Sequence, residues 1–159
     1  MGGAGERMPK IDMSKVVVRT QSVYPGDLAT VTQGREKAVL GNVAGLTQFG
    51  VNLTRLMPGA ASALRHWHET EDEFVYILEG EATLIENGSE TTLKAGECAG
   101  FRANDPNGHC LVNKSQRDVL YLEVGTRSPT DRYHYPDVDL AGVKDERGVR
   151  FSHKSGEPY

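Results

Sequence analysis

Two histidines and a glutamate lie close together in the stretch RHWHETEDEFVYILEG, residues 65–80. Because residues i and i+2 of a β-strand point to the same side, His66 and His68 would project from one face. Two imidazoles side by side can bind one divalent ion at about 2.0–2.2 Å each. Glu73 follows the acidic loop ETED, and its carboxylate could complete a two-histidine, one-carboxylate site that leaves coordination positions open. The spacing favours a metal site, with histidines of a polar surface loop as the alternative.

A second segment, LKAGECAGFRANDPNGHCLVN over residues 93–113, supplies a further histidine. His109 follows a turn glycine and a proline-containing loop and begins another apolar run, so it could be a fourth ligand. Three of the five histidines in the chain thus stand at predicted strand starts beside turn sequences. This order favours the metal site over unrelated surface histidines.

Short apolar or alternating runs make up the chain from residue 16 onward, and glycine- or proline-containing turn sequences separate them. Within LIENGSETTL, Asn87 and Gly88 between two β-prone arms predict a hairpin with a type I′ turn. No stretch keeps a helical period for three turns. Many short strands at such spacing predict an all-β sandwich or barrel.

The length of 159 residues indicates one domain with arms. Residues 1–15 are rich in glycine and methionine without a pattern, which predicts a flexible N-terminus. Residues 16–125 carry the predicted strands of the barrel domain. Residues 126–159 are polar and interrupted by prolines but keep spaced aromatic and aliphatic side chains, which predicts an extension that packs on the barrel or on a partner subunit.

The composition argues against several classes of partner. A net charge of −4 gives no electrostatic basis for binding nucleic acid or an anionic membrane surface. No apolar run is long enough to span a membrane, and MGGAGERMPK lacks the apolar centre of a signal peptide.

Cys98 and Cys110 lie in strand-like contexts and are expected to be reduced and to fill space in the core. We therefore expect a cytoplasmic protein.

A strand predicted over residues 47–57 places an arginine among apolar side chains. Arg55 shares its face with four apolar residues: Phe49, Val51, Leu53 and Met57. A charged group on an apolar face is rare unless it is paired, so Arg55 would meet a carboxylate or a bound anion inside the barrel. The alternative is a strand end that reaches solvent.

The first of these segments resembles the first motif of the cupin superfamily, G(X)5HXH(X)3–4E(X)6G. Residues 59–80 read Gly59, AASALR, His66, Trp67, His68, ETED, Glu73, FVYILE and Gly80. Everything from the first histidine onward fits, and the spacer after the first glycine is one residue longer than the pattern. The second motif, G(X)5PXG(X)2H(X)3N, is matched over residues 96–113. His109, CLV and Asn113 fit its end, and the loop from Gly96 is two residues longer than the pattern.

The resemblance covers about residues 40–125 and implies an all-β cupin jelly-roll barrel, a double-stranded β-helix, with N- and C-terminal arms. It implies tight turns at Gly80 and Gly96. It also implies that four side chains hold one divalent transition metal (Zn, Mn, Fe or Ni): His66, His68, Glu73 and His109. Similar cupins are commonly homodimers, and both faces of FVYILE are apolar, as in a strand covered on each side.

The segments GHCLVN, YLEVGTR and HYPDVDL are similar to those of small bacterial cupins labelled sugar-phosphate isomerases. Such an isomerase needs a proton shuttle, for which Glu79 and Tyr121 are candidates. It also needs a phosphate grip, for which Arg55, Arg65 and Arg102 are candidates, because guanidinium binds phosphate through two hydrogen bonds. The residues leave open whether the protein is an enzyme. The alternatives are a non-catalytic cupin that binds a small ligand and an Fe(II)-dependent dioxygenase.

Overall fold

The computed structural model describes residues 9–159, so residues 1–8 of the predicted flexible N-terminus lie outside the described residues. This part of the chain is built mainly from short strands. The strands are β1 (Val18–Arg19), β2 (Arg35–Val39), β3 (Phe49–Leu56), β4 (Trp67–His68), β5 (Glu73–Glu79), β6 (Glu81–Glu86), β7 (Ser89–Lys94), β8 (Cys98–Phe101), β9 (Cys110–Val112), β10 (Val119–Thr126), β11 (Asp131–His134), β12 (Ala141–Asp145) and β13 (Gly148–Ser152). The helices are a four-residue α1 (Leu40–Val43) and 3-10 turns at Met13–Lys15 and Gly26–Thr32.

Three antiparallel sheets enclose one interior, which confirms the all-β jelly-roll prediction. The largest sheet has the order β1-β2-β3-β10-β5-β8, the second β13-β12-β11-β4 and the third β7-β6-β9. Strands distant in sequence are neighbours in each sheet, as in a jelly roll. The sheet of six strands and the sheet of three strands face each other across the core.

The interior is filled by side chains that alternate along the strands. Leu56 of β3 and Val119 of β10 lie opposite each other, and both are fully buried. Ile77 of β5 and Tyr121 of β10 form a second fully buried pair. The three-stranded sheet adds buried apolar residues to the same cluster: Ala82, Leu84, Leu93 and Leu111. These buried side chains form one apolar core that the two sheets share.

Arg55 lies on the outer face of the six-stranded sheet, so the hypothesis that placed it inside the barrel is wrong. Its neighbours Thr54 and Leu56 are 0% exposed and point inward. Because successive residues of a strand point to opposite faces, Arg55 points outward. Its side chain is half exposed, and Nη1 lies 3.7 Å from Asp118. The alternative of a strand end that reaches solvent is the correct one.

The predicted hairpin joins β6 to β7 through Asn87 and Gly88. Gly88 has a φ of 73°, but Asn87 does not have a positive φ. The type I′ prediction is therefore wrong, because that turn needs a positive φ at both residues. Hydrogen bonds to a neighbouring loop hold Asn87 instead. Its backbone N–H donates to Asn107 Oδ1 at 2.9 Å, and its Nδ2 donates to the Pro106 carbonyl at 3.2 Å.

The two motif glycines make the tight turns that the resemblance implies. Gly80, between β5 and β6, has a φ of 76°, and a Cβ there would lie 2.6 Å from the Asp118 carbonyl oxygen. Gly96, between β7 and β8, has a φ of 91°. Residues other than glycine are strained in this left-handed region. At Gly80 the close backbone also leaves no room for a side chain.

The C-terminal extension forms strands β11 to β13, and β11 pairs with β4 of the barrel. In this pairing Tyr133 lies opposite His68 and His134 lies opposite Trp67. Leu140, between β11 and β12, is 0% exposed. The extension therefore covers the end of the barrel that carries the histidine pair.

Two expectations from composition can be compared with the structure. Both cysteines are free, but Cys98 is exposed on β8 whereas Cys110 is buried on β9. The expectation of a core position therefore holds for Cys110 and is wrong for Cys98, which lies on an edge strand of the six-stranded sheet. Within residues 9–159, no helix has the length and apolar character needed to cross a membrane. The cytoplasmic location stays a prediction.

Candidate metal centre

The four predicted ligands come from two chain segments that pair through their backbones. The His66 N–H donates to the His109 carbonyl at 3.2 Å, and the His109 N–H donates to the His66 carbonyl at 2.9 Å. His68 ends β4, Glu73 begins β5, and His109 directly precedes β9. Strand pairing therefore brings to one cavity wall residues that are distant in sequence.

The side chains converge on one carboxylate oxygen. Glu73 Oε2 lies 2.8 Å from Nε2 of His109, 3.4 Å from Nε2 of His68 and 3.8 Å from Nε2 of His66. The two Nε2 atoms of His66 and His68 are 3.1 Å apart. Donor atoms that share an ion about 2.1 Å away lie roughly 3.0–3.5 Å from one another. The spacing of His66, His68 and Glu73 could therefore hold one ion.

The outer nitrogens of two rings fix their orientation. His66 Nδ1 lies 2.8 Å from the Leu64 carbonyl oxygen, and His68 Nδ1 lies 2.6 Å from Asp131 Oδ2. Both contacts are to acceptors, so each Nδ1 carries a hydrogen and donates it. The two Nε2 atoms then face each other and the Glu73 carboxylate. Such a group of lone pairs requires a positive charge among them, and a divalent cation fits this donor set.

The charges of the cluster agree with that requirement. Burial lowers the pKa of His66 to about 4, so this ring is neutral at pH 7. Burial also disfavours charge on His68, but hydrogen bonds to Asp131 and Glu73 outweigh it and raise the pKa of His68 to about 10. Hydrogen bonds from His109 and His68 hold the pKa of Glu73 well below its usual range in spite of burial. A metal ion would take the place of the His68 proton, since ligands bind deprotonated.

Packing holds the fourth ring in place. His109 is 7% exposed and stacks on Phe101, with ring centroids 3.5 Å apart and an interplanar angle of 1°. Its Nδ1 is buried and has no hydrogen-bond partner in the part of the chain that the structure describes. The orientation of His109 therefore depends on Phe101 and on the contact of its Nε2 with Glu73.

Asp131 of the extension supports His68 and was missed by sequence reasoning. It is 3% exposed, and its Oδ2 accepts the His68 hydrogen bond. Its Oδ1 accepts from the N–H and the hydroxyl of Thr70, both at 2.9 Å. These bonds satisfy both carboxylate oxygens and fix Asp131 firmly. No local pattern could reveal it, because only the pairing of β11 with β4 brings it to the centre.

A cavity of about 450 Å³ opens from this centre into the barrel. Aromatic rings form part of its wall. Tyr135 stacks on His66 with centroids 5.8 Å apart, and Tyr133 packs edge-on against His68 at 4.8 Å. Tyr24 packs edge-on against Tyr135 at 5.7 Å. The volume is in the range of small-molecule sites, which are roughly 300–1,000 Å³.

Charged side chains line the rest of the cavity, and all of them except Glu73 were missed by sequence reasoning. The cations are Arg19, Arg35, Lys37, Arg127 and Lys144, and the carboxylates are Glu71, Glu73 and Glu123. Two of these acids have lysine partners. Lys37 lies 2.5 Å from Glu123, and Lys144 lies 2.6 Å from Glu71. β2 reads REKAV, with three consecutive charged residues, so no alternation of charged and apolar positions could have pointed to Arg35 and Lys37.

The structure separates the two residues proposed as proton shuttles. Tyr121 lines the cavity and is 0% exposed. Burial raises the pKa of its hydroxyl well above the usual range. Glu79 is exposed at the end of β5 and is not among the residues that line the cavity. The geometry thus brings Tyr121 to the centre and leaves Glu79 outside.

The three arginines proposed for phosphate also lie in different places. Arg55 is on the outer surface, as described above. Arg65 binds Asp137 through two hydrogen bonds, of 2.7 and 2.8 Å, and ties the extension to the barrel. Arg102 lines a second, smaller cavity of about 90 Å³, which also borders His68, Glu73 and His109. None of the three lines the larger cavity.

Comparisons with a family model and with solved structures both relate this chain to cupin proteins. Residues 52–125 match the family model described as the cupin domain. A crystal structure of a sugar phosphate isomerase from a cupin superfamily, from Silicibacter pomeroyi, is 45% identical to this chain, with a TM-score of 0.91. The match covers 95% of this chain and 96% of that chain.

More distant proteins share the same fold. The oxalate-binding protein of Thermotoga maritima is 26% identical over 114 residues, which is 69% of this chain and 92% of that protein. The structure of the polyketide cyclase RemF from Streptomyces resistomycificus is 18% identical with a TM-score of 0.61, covering 75% of this chain and 79% of that one. At this identity the second likeness concerns the fold alone.

Proposed function

The chain belongs to the cupin superfamily, and from this membership and the geometry of its centre we propose that it is a metal-dependent isomerase of a sugar phosphate. One observation carries the proposal. Three histidines converge on a single glutamate oxygen at the wall of a cavity sized for a small molecule. The residues that would hold one divalent transition metal (Zn, Mn, Fe or Ni) are His66, His68, Glu73 and His109.

The choice of reaction is supported by the Silicibacter pomeroyi isomerase, because the similarity extends over nearly the whole of both chains. Its coverage includes the extension that supplies Asp131 and the tyrosines of the cavity wall. One fold serves many functions, so a shared barrel alone does not indicate a shared reaction. The similarity supports a shared reaction to the extent that the two proteins have the same residues in their cavities.

A divalent ion, when bound, supplies Lewis-acid polarisation of a hydroxyl or carbonyl oxygen. The chain itself supplies the rest of the cavity. Tyr121 keeps its proton at neutral pH, because burial raises the pKa of its hydroxyl. That hydroxyl has no hydrogen bond of ordinary geometry among the described residues. Tyr121 is therefore available to donate a hydrogen bond to a ligand oxygen or to pass a proton.

One observation favours a second function, the binding of a small ligand without turnover. Moving a proton between two carbon atoms requires a free base near the ligand. Glu123 is engaged by Lys37 and accepts from Asn52 Nδ2 at 3.0 Å, and Glu71 is engaged by Lys144. Neither carboxylate beyond the centre is therefore unpaired. A non-catalytic cupin would need no such base.

The test is incubation of metal-reconstituted protein with a panel of aldose and ketose phosphates in D2O, followed by proton NMR. We expect interconversion, with deuterium incorporated at the carbon next to the carbonyl. Tyr121→Phe should slow turnover at least about tenfold at unchanged metal content, in line with general acid–base contributions of roughly 10²–10⁴. Binding of a sugar phosphate without exchange would select the binding function. Oxygen consumption by Fe(II)-loaded protein would select a dioxygenase.

We also propose that the protein is a homodimer that buries the outer face of the six-stranded sheet. This face carries four large apolar side chains that are 38–41% exposed: Phe49, Phe74, Tyr76 and Leu78. Contiguous apolar patches of this kind mark interaction surfaces in soluble proteins. Pairing of the same face on two copies would give a symmetric dimer.

Light scattering should give twice the chain mass of 17.4 kDa for the wild type. Tyr76→Glu should dissociate the dimer, because it places a charge in the centre of the apolar face. Val149→Glu is the matched control, since Val149 is 48% exposed on β13, in a different sheet. A wild type of single-chain mass at about 50 µM would contradict the proposal, since a dimer with a Kd of about 1 µM or below would be largely associated at that concentration.

A further inference from the structure

Arg35 is a buried cation with an unused hydrogen-bonding edge. It begins β2 and is 9% exposed. Its Nη1 donates to the Ser62 carbonyl at 2.6 Å. Its Nε is buried and has no hydrogen-bond partner, and its Nη2 has no acceptor in residues 9–159. Nε and Nη2 form one edge of the planar guanidinium, and this edge is unpaired in a residue that lines the cavity.

A buried charge is costly unless it is paired, and Arg35 has no carboxylate partner within residues 9–159. No carboxylate of the described residues lies within 4.0 Å of its guanidinium, whereas Lys37 on the same strand face has Glu123 at 2.5 Å. The neighbouring buried groups do not compensate. The hydroxyls of Tyr121 and Thr54 interact with each other, but neither has a hydrogen bond of ordinary geometry among the described residues. The described part of the chain therefore leaves this buried cation without a carboxylate partner.

The position of Arg35 connects it to the metal centre. The charges of Arg35 and of Glu73 both act on the hydroxyls of Tyr24 and Tyr121. Arg35 and the four proposed ligands line one cavity, which Tyr24 and Tyr121 also border. Cationic side chains also outnumber carboxylates five to three in the cavity lining, although the whole chain has a net charge of −4.

We infer that Arg35 is the site that binds an oxyanion, a phosphate ester or a carboxylate, on the ligand held at the metal centre. The inference rests on the proposed function for the presence of that ligand, and it adds the ligand's charge and the residue that recognises it. The free edge of Arg35 donates two parallel hydrogen bonds to two oxygens of the anion, the geometry in which guanidinium binds carboxylate and phosphate.

Three-carbon probes test this in the metal-loaded protein and again after removal of the metal with EDTA. Glycerol 3-phosphate, glycerate and glycerol share a carbon skeleton and differ in the anionic group. Binding is measured by calorimetry to wild type, Arg35→Met and Arg35→Lys, with metal content measured on each sample. Arg55→Met is the matched control, because Arg55 is half exposed on the outer surface and paired with Asp118.

We expect at least one anionic probe to bind, and Arg35→Met to weaken it roughly 10- to 100-fold, the size expected for charge-assisted hydrogen bonds. Arg35→Lys should weaken it less, and Arg55→Met should leave it unchanged. A stronger effect on glycerol 3-phosphate identifies a phosphate ester, and a stronger effect on glycerate identifies a carboxylate. The unfolding temperature of Arg35→Met should equal or exceed that of the wild type, because the variant removes an unpaired buried charge.

The inference is overturned if neither anion binds more tightly than glycerol, or if Arg35→Met binds both as the wild type does. It is also overturned if Arg35→Met unfolds several degrees lower, which would show that the residue is structural. Failure of the proposed function gives a different result. Protein that takes up no metal but still binds an anion through Arg35 would refute the metal-dependent reaction and support the anion site.

Discussion

Glu73→Gln is expected to lower the affinity for a divalent metal by more than about 100-fold. Even the outer partners of metal ligands are worth roughly 10–100-fold in affinity, and Glu73 is the point on which all three histidines converge. Glutamine has nearly the same shape but carries no charge, so the cluster loses its one anion. The measurement is a competition titration with a chelator of known affinity.

Glu123→Gln is the control for this variant. Glu123 also lines the cavity, but it is paired with Lys37 and is not in contact with the histidines. Its variant should retain metal as the wild type does. Equal metal affinity in Glu73→Gln and in the wild type would show that the carboxylate is not a ligand.

Asp131→Asn is expected to weaken metal binding roughly 10- to 100-fold without removing any proposed ligand. Asp131 accepts the His68 Nδ1 hydrogen at 2.6 Å and thereby leaves Nε2 free to face the centre. Thr70 donates two hydrogen bonds to the other oxygen of Asp131, so asparagine would keep its own oxygen there and present its amide group to His68. An amide donor favours the opposite tautomer, with hydrogen on Nε2.

Nitrogen-edited NMR of the histidine rings separates this effect from a general loss of structure. The wild type should show hydrogen on Nδ1 of His68, and Asp131→Asn should show it on Nε2, at an unfolding temperature within a few degrees of the wild type. Asp137→Asn is a suitable control, because Asp137 is an acid of the same extension that pairs with Arg65. If Asp131→Asn kept both the tautomer and the metal affinity, Asp131 would have no positioning role.

The centre could be predicted because its essential geometry is local. His66 and His68 share a face through the two-residue period of a strand, and Glu73 follows after a short loop. Gly80 could be predicted for a similar reason, since a turn with positive φ strongly favours glycine. In both cases a few neighbouring residues carry the requirement, whereas His109 joins the cluster only through its backbone pairing with His66.

The alternation of residues along β3 gave the wrong face for Arg55, because both faces of the six-stranded sheet are apolar. Leu53 and Leu56 lie on opposite faces of β3, so hydrophobicity does not tell which face lines the barrel. The roles of Asp131 and Arg35 were not predicted, for a different reason. Asp131 reaches His68 across 63 positions of sequence, and Arg35 reaches Ser62 across 27. Such contacts depend on tertiary pairing, for which neighbouring residues give no signal.

The most direct test of the metal centre is elemental mass spectrometry of wild-type protein beside a His66→Ala/His68→Ala variant. Both are reconstituted with zinc, manganese, iron(II) or nickel and then passed through a desalting column. We predict about one ion per wild-type chain and less than about a tenth of that in the variant, because the variant keeps only two of the four donors. Wild type and variant that are equally empty of all four metals would contradict the centre.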